Sequence, residues 1–201
     1  MKELSEKDSL NLLERGGFEV VERIFFLTRF GLKNSLRKVG IDSIMKVSGR
    51  NLQSKTSEKL VSNLKTYTGA LIDFKHLKKC KGFRGIILKK KINGKEFFVL
   101  VKRNSSSKPS LTFGYLGTNE ENQKGISFKL FPINKKKLNK MVKEVKFPKT
   151  ISSRSKKNFE EFVLKLCKFI NENSHIQEIE IDPLFVNEKS SIIVNSKIKL
   201  E

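Results

Sequence analysis

Hydrophobic spacing divides the chain into a helix-rich beginning and a strand-rich remainder. Leu10 and Leu13 recur at helical spacing, Ser5 stands where a cap belongs, Asp8 sits three residues on, and Gly16-Gly17 stop the run. These features predict a first helix. "FEVVERIFFL" reads as strand, "LKNSLRKVG" as a short helix ending at Gly40, "DSIMKVSG" as strand and "RNLQSKTS" as polar loop. A helix is expected from near Ser57, and a second, lysine-rich one before Gly82. From Arg84 the apolar period shortens to two. "RGIILKKKI" and "KEFFVLVKR" flank Asn93-Gly94, which predicts a β-hairpin. "LTFGYLG" and "ISFKLFPI" are further strands. Asn134 caps a helix carrying Leu138, Met141 and Val145. A longer amphipathic helix then presents Phe159, Phe162, Val163, Leu166, Phe169 and Ile170 on one face. A closing pair of strands follows.

Strands in hairpin order with interspersed helices predict an α+β fold with a largely antiparallel sheet. The pattern change at Arg84 suggests two lobes, residues 1–83 and 84–201. The chain has 201 residues, 37% of them hydrophobic, enough to bury a core.

Charge changes the picture. Lys+Arg number 42 against Asp+Glu 21, a formal net charge of +21. A polyanion partner such as nucleic acid is one explanation, and a lysine-rich composition bias is the other; no base-reading motif accompanies the charge. The clusters 89–91 and 135–137 read as solvated faces. Cys80 and Cys167 stand apart, without the spacing of a zinc site or a disulfide framework, so reduced cytoplasmic thiols are expected. The polar start has no apolar core of a signal peptide, and residues 20–32 are too short and too charged to span a membrane.

Against this basic background, "EIEIDPLFVNEKSSIIVNSKIKL" places Glu178, Glu180 and Asp182 on alternate positions. With "NEKS" as the turn, Val186 faces Ser191, Leu184 faces Ile193, and Asp182 faces Asn195. Glu180 shares the face of Asp182. These three can form an oxygen patch, and oxygen ligands suit Mg²⁺. A solvated strand face whose acids balance lysines is equally compatible with the spacing.

The same segment resembles the closing motif of ATP-grasp domains in NDP-forming acyl-CoA synthetases, nearest to the beta subunit of the ADP-forming acetate–CoA ligases. Pro183, Leu184, Phe185 and Val186 match, and the two metal-holding positions are Asp182 and Asn195, with the family's Asn and Asp exchanged. "LTFGYLGTNEENQKGISFKLFPI" resembles two further family segments through Gly114, Gly117 and Glu121, with Lys129 where the family has arginine. "RGIILKKKINGKEFFVLVKRN" resembles another, matching at Glu96, Lys102 and Arg103. "MKVSG" resembles a segment whose lysine reaches phosphate, which points to Lys46.

The resemblance implies a two-lobed ATP-grasp fold that binds ATP or ADP with Mg²⁺. It implies nucleotide contacts at Lys46, Glu121 and Lys129, with backbone contacts from Ile86, Ile87, Leu88 and Lys89. It implies metal binding at Asp182, Asn195 and Glu180. It also implies a hetero-oligomer with a CoA-binding alpha-type subunit. The family's loop histidine is replaced around Gln53, Ser54 and Lys55, so its phosphohistidine cannot form there. The chain's histidines, His76 and His175, lie outside that motif. A ligase subunit, a non-catalytic ATP-grasp homologue and a basic nucleic-acid-binding module remain the three readings.

Overall fold

The computed structural model describes residues 1–49, 61–104, 107–117, 125–145 and 147–201. The chain divides into two compact units. One contains residues 1–20 and 93–201, the other residues 21–92.

The larger unit is built on a seven-stranded antiparallel sheet. Its strands are β1 (Lys2–Glu3), β6 (Lys95–Asn104), β7 (Ser107–Tyr115), β8 (Ile126–Leu130), β9 (Ile176–Val186), β10 (Ser191–Ile193) and β11 (Ser196–Leu200). The order is β1-β11-β9-β6-β7-β8, with β10 also on β9. Helices α1 (Glu6–Arg15), α4 (Lys135–Glu144) and α5 (Ser153–Glu172) belong to this unit and pack on its strands. Register explains which face is buried. Phe97, Val99 and Val101 of β6 oppose Tyr115, Phe113 and Leu111 of β7, and Val99 and Val101 oppose Ile181 and Ile179 of β9. These residues form the core with the apolar faces of the helices. Phe159 touches Phe97, Phe113 and Phe147 at centroid distances of 4.7, 5.0 and 5.2 Å. Such aromatic contacts add to the area buried.

The smaller unit has a four-stranded antiparallel sheet, ordered β2-β5-β3-β4. Its strands are β2 (Arg23–Phe26), β3 (Ser43–Gly49), β4 (Val61–Leu64) and β5 (Phe83–Lys90), with helices α2 (Arg29–Val39) and α3 (Tyr67–Lys78). Met45, Val47, Ile86, Leu88, Phe26 and Leu64 bury one sheet face with Leu32, Leu36, Ala70, Phe74 and Leu77 of the helices.

Among the described residues, the five helices are capped by the same device. Ser5, Thr28, Thr66, Asn134 and Ser152 each accept a hydrogen bond from the amide three residues on. The first and fourth of these caps are the expected ones.

Four expectations are corrected. The Asn93-Gly94 hairpin does not form: β5 pairs with β2 and β3, whereas β6 pairs with β7 and β9. Gly94 serves close packing instead, since a Cβ there would meet Val186 O at 2.8 Å. The division at 83/84 moves to 92/93, because β5 completes the smaller sheet, and the first 20 residues join the larger unit. Only Arg23–Phe26 of the expected strand at 18–27 is strand, and Val20 makes an isolated bridge with Ile193. Residues 61–64 are strand rather than a continuation of the helix expected from Ser57, whose start lies outside the described residues. Val61 pairs opposite Lys46 at the edge of the sheet.

Among the described residues, no helix is long and apolar enough to cross a membrane.

Candidate functional site

The face of the seven-stranded sheet away from its core collects acids. Ser191 opposes Val186 and Ile193 opposes Leu184, as the turn count requires. The same register continues into Ser196 opposite Ile181. Asp182 and Asn195 therefore meet: Asp182 N–H donates to Asn195 O at 3.2 Å, and Asn195 Nδ2 donates to Asp182 O at 3.0 Å. The second bond fixes the amide so that its nitrogen faces the backbone, and Oδ1 is the atom suited to a cation.

Glu96 completes the group. It precedes core residue Phe97 on β6 and opposes Phe185, so its side chain lies on the acidic face. Desolvation, and then the charge of Asp182, raise the Glu96 pKa above the ordinary carboxylate range. Asp182 is exposed at its tip, yet protein packed around it raises its pKa as well, by desolvation. The Glu96 charge in turn adds to the burial that raises Tyr115. Two carboxyls held above their usual range are favoured by a cation beside them.

Glu180 and Glu178 extend the acidic row toward β11. Glu180 opposes Lys197 on one side and Leu100 on the other. Glu178 is buried and ion-paired, at 2.6 Å to Lys199 and 3.8 Å to Lys102. Hydrogen bonding to Glu178 is the main reason the Lys199 pKa is raised, and the Glu180 charge adds to it. The acidic strand differs along its length. Its start balances lysines, and its end, at Asp182, meets an amide and a second carboxyl.

The remaining expected residues fall elsewhere. Lys129 opposes core residue Leu111, on the sheet face opposite Glu180. It pairs with Glu144 of α4 at 2.9 Å, and Ser127 also donates to Glu144. These hydrogen bonds, Lys129 first, lower the Glu144 pKa. Lys46, Ile87 and Lys89 share the face of the smaller sheet away from its core, together with Arg23, Phe25 and Ile44. Ile86 and Leu88 point into the core. The expected backbone hydrogen bonds from residues 86–89 are corrected, because β5 is bonded on both edges there and its N–H and C=O groups are committed to the ladders. Gly85, at φ +152°, is required beside this face: a Cβ would lie 2.2 Å from the Phe25 ring. Glu121 and the loop at Gln53, Ser54 and Lys55 lie outside the described residues.

Arg103 plays a structural part. It donates to Ile170 O at 2.7 Å and Ile176 O at 3.4 Å, satisfying carbonyls around the end of α5. Cys167 is buried, with its thiol pushed up to about 12 by burial, and both cysteines are free thiols.

A family model described as an ATP-grasp domain matches residues 1–200. The chain belongs to the ATP-grasp family. Its curated relatives include the ADP-forming acetate–CoA ligase II of Archaeoglobus fulgidus, 26% identical over 97% of this chain and 30% of that protein. The ADP-forming acetate–CoA ligase I subunit beta of Pyrococcus furiosus is 32% identical over 53% of this chain and 49% of that subunit. The chain therefore spans between about a third and a half of the length of these relatives. A solved acetyl-coenzyme A synthetase 1 of Ca. Korarchaeum cryptofilum, in complex with coenzyme A and Ca-AMPCP, shares the fold. It gives a TM-score of 0.85 and 19% identity, covering 100% of this chain and 94% of that one. The ATP-grasp fold predicted from sequence is thus confirmed.

The side chains present fit a hard divalent cation. Asp182 and Glu96 supply carboxylate oxygen, and Asn195 supplies amide oxygen opposite Asp182. Among the described residues no group of three His, Cys, Asp or Glu side chains forms a metal cage. An open site with few protein ligands is what Mg²⁺ uses when phosphate and water complete its shell. Glu96 had been matched to the family motif without a role. Its nearness to Asp182 depends on the β6–β9 pairing, which no local pattern reports.

Proposed function

We propose that this ATP-grasp chain binds a Mg²⁺-nucleotide as part of an ADP-forming acyl-CoA synthetase. The overall reaction would be acyl-CoA, ADP and phosphate to acid, CoA and ATP. The observation that carries the reading is the cross-strand meeting of Asp182, Asn195 and Glu96. Bound there, Mg²⁺ would neutralise phosphoryl charge and act as a Lewis acid.

Asp182 and Asn195 Oδ1 would hold the cation, and Glu96 would add a second carboxylate. Leu100 and Phe98, half-buried on the same face, offer apolar surface beside the acids. Lys46 and Lys89 would stabilise phosphoryl negative charge, as preorganised cations do in phosphoryl transfer. Lys129 would orient Glu144 rather than meet phosphate directly, given its 2.9 Å ion pair.

One relative is a beta subunit, which supports a partner subunit carrying the CoA-binding parts, in a hetero-oligomer. The decisive assay mixes the chain with such a partner, acyl-CoA, ADP, phosphate and Mg²⁺. ATP formation is expected. One sequence feature favours a second reading: the loop offers Gln53, Ser54 and Lys55 where the family has its histidine. Nucleotide binding without any ATP formation would select that reading, a homologue that holds nucleotide but does not relay phosphate.

A further inference from the structure

The smaller unit carries a second feature that the Mg²⁺-nucleotide reading does not use. A surface cavity of about 480 Å³ is lined by Arg29, Leu71, Phe74, Lys75, Lys78 and Lys79. Its floor is apolar and fixed. Phe74 is buried and stacks on Phe26 at 5.9 Å, and Leu71 packs against the same core. Its rim is cationic. Lys75, Lys78 and Lys79 fall at i, i+3 and i+4 around the end of α3, where neighbouring like charges repel.

Arg29 is the least expected member. It opens α2, at the helix end whose dipole disfavours a cation. Lysines at the end of α3 suit that helix on its own, but Arg29 does not suit α2. Among the described residues no carboxylate pairs with any of the four, although other exposed lysines do find acids, such as Lys91 with Asp42 and Lys157 with Glu161.

We propose that this cavity binds a small organic phosphate. The phosphoryl group would be held by Arg29, Lys75, Lys78 and Lys79, and the apolar body would rest on Leu71 and Phe74. An anion between the two helix ends relieves the repulsion among the lysines and the misplacement of Arg29 together. The volume lies in the range of small-ligand sites, which suits a compact ligand better than an extended polymer.

The test is amide-resolved NMR of the ¹⁵N-labelled full chain, titrated without Mg²⁺ with ADP, pyrophosphate, adenosine and a short RNA in turn. ADP should shift the amides of Arg29, Leu71, Phe74, Lys75, Lys78 and Lys79 along one saturating curve. Pyrophosphate should bind there more weakly, and adenosine more weakly still. The exposed pair Lys75→Gln, Lys78→Gln should weaken ADP at the cavity by roughly tenfold while the rest of the spectrum stays in place. Non-saturating shifts at the cavity would overturn the proposal. So would an adenosine response equal to that of ADP, unchanged binding in the double variant, or RNA binding spread across the chain's lysines. Amides at Asp182 and Asn195 report the nucleotide site separately, so failure of one site is distinguishable from failure of the other.

Discussion

The two sheets use the face away from their cores in different ways. On the seven-stranded sheet that face carries Glu96, Glu178, Glu180 and Asp182. On the four-stranded sheet it carries Arg23, Lys46 and Lys89. A chain with a net charge of +21 therefore does not spread its charge evenly. The face of the larger sheet sets those acids among Lys102, Lys197 and Lys199, whereas the strands of the smaller sheet carry no acid among the described residues. The acids also differ among themselves. Glu178 is neutralised by two lysines, whereas burial raises the cost of ionising Asp182 and Glu96, and the Asp182 charge adds to it at Glu96.

The largest expected effect is in the cores that hold these faces in place. Phe159→Ala removes a fully buried ring from three aromatic contacts and should cost about 3–5 kcal/mol in denaturant unfolding. Leu88→Ala in the smaller unit should cost about 2–5 kcal/mol. If the units unfold separately, each substitution should move only its own transition.

Next comes the neutralised acid. Glu178→Gln should cost about 1–2 kcal/mol, because it takes charge from two hydrogen-bonding and ion-pair partners. Glu161→Gln, at an exposed helix pair, should cost no more than about 0.5 kcal/mol. Equal effects would erase the distinction between the buried and the exposed acids.

The cation-ready acids give the opposite sign. A carboxyl whose folded pKa is raised binds its proton more tightly folded than unfolded. Stability therefore falls as pH rises from the ordinary carboxylate range through the raised values of Glu96 and Asp182. Glu96→Gln should remove part of that fall, so the variant melts higher than the parent at neutral pH in chelator. Mg²⁺ should narrow the difference. A parent that is no less stable than the variant would contradict the coupling.

The smallest effect belongs to Glu144, whose pKa is lowered by Lys129 and Ser127. Its contribution is present above the ordinary carboxylate range and is lost as pH falls through the lowered value. Glu144→Gln should flatten the acid side of the melting profile by lowering neutral stability slightly while leaving stability at low pH unchanged.

Much of the larger unit was legible because its signals are local. The "NEKS" turn fixed a register that carried from Val186–Ser191 to the meeting of Asp182 with Asn195. Ser5 and Asn134 announced their helices, and the amphipathic face of α5 was complete in the spacing of its phenylalanines. Asn93-Gly94 misled for a physical reason. A turn-prone dipeptide says nothing about whether stronger long-range partners claim the flanking strands, and β2, β3, β7 and β9 claim them here. The pairing of Glu96 with Asp182 and the ring of cations around Phe74 were hidden likewise, since each joins residues distant in sequence. Lys129 shows the limit of motif transfer: its position matches the family, but Glu144, which holds it, belongs to a different segment.

The most direct test of the metal-nucleotide account is the melting of the chain with ADP, with and without Mg²⁺. At roughly a hundredfold excess over the dissociation constant, ADP should stabilise the parent by about 2.7 kcal/mol with Mg²⁺ present. Measured in the Lys75→Gln, Lys78→Gln background, where the cavity of the smaller unit adds little, that gain should disappear in chelator and on adding Asp182→Ala and Asn195→Ala. In that background, a gain of the same size without Mg²⁺, or one that survives the two added substitutions, would contradict the account.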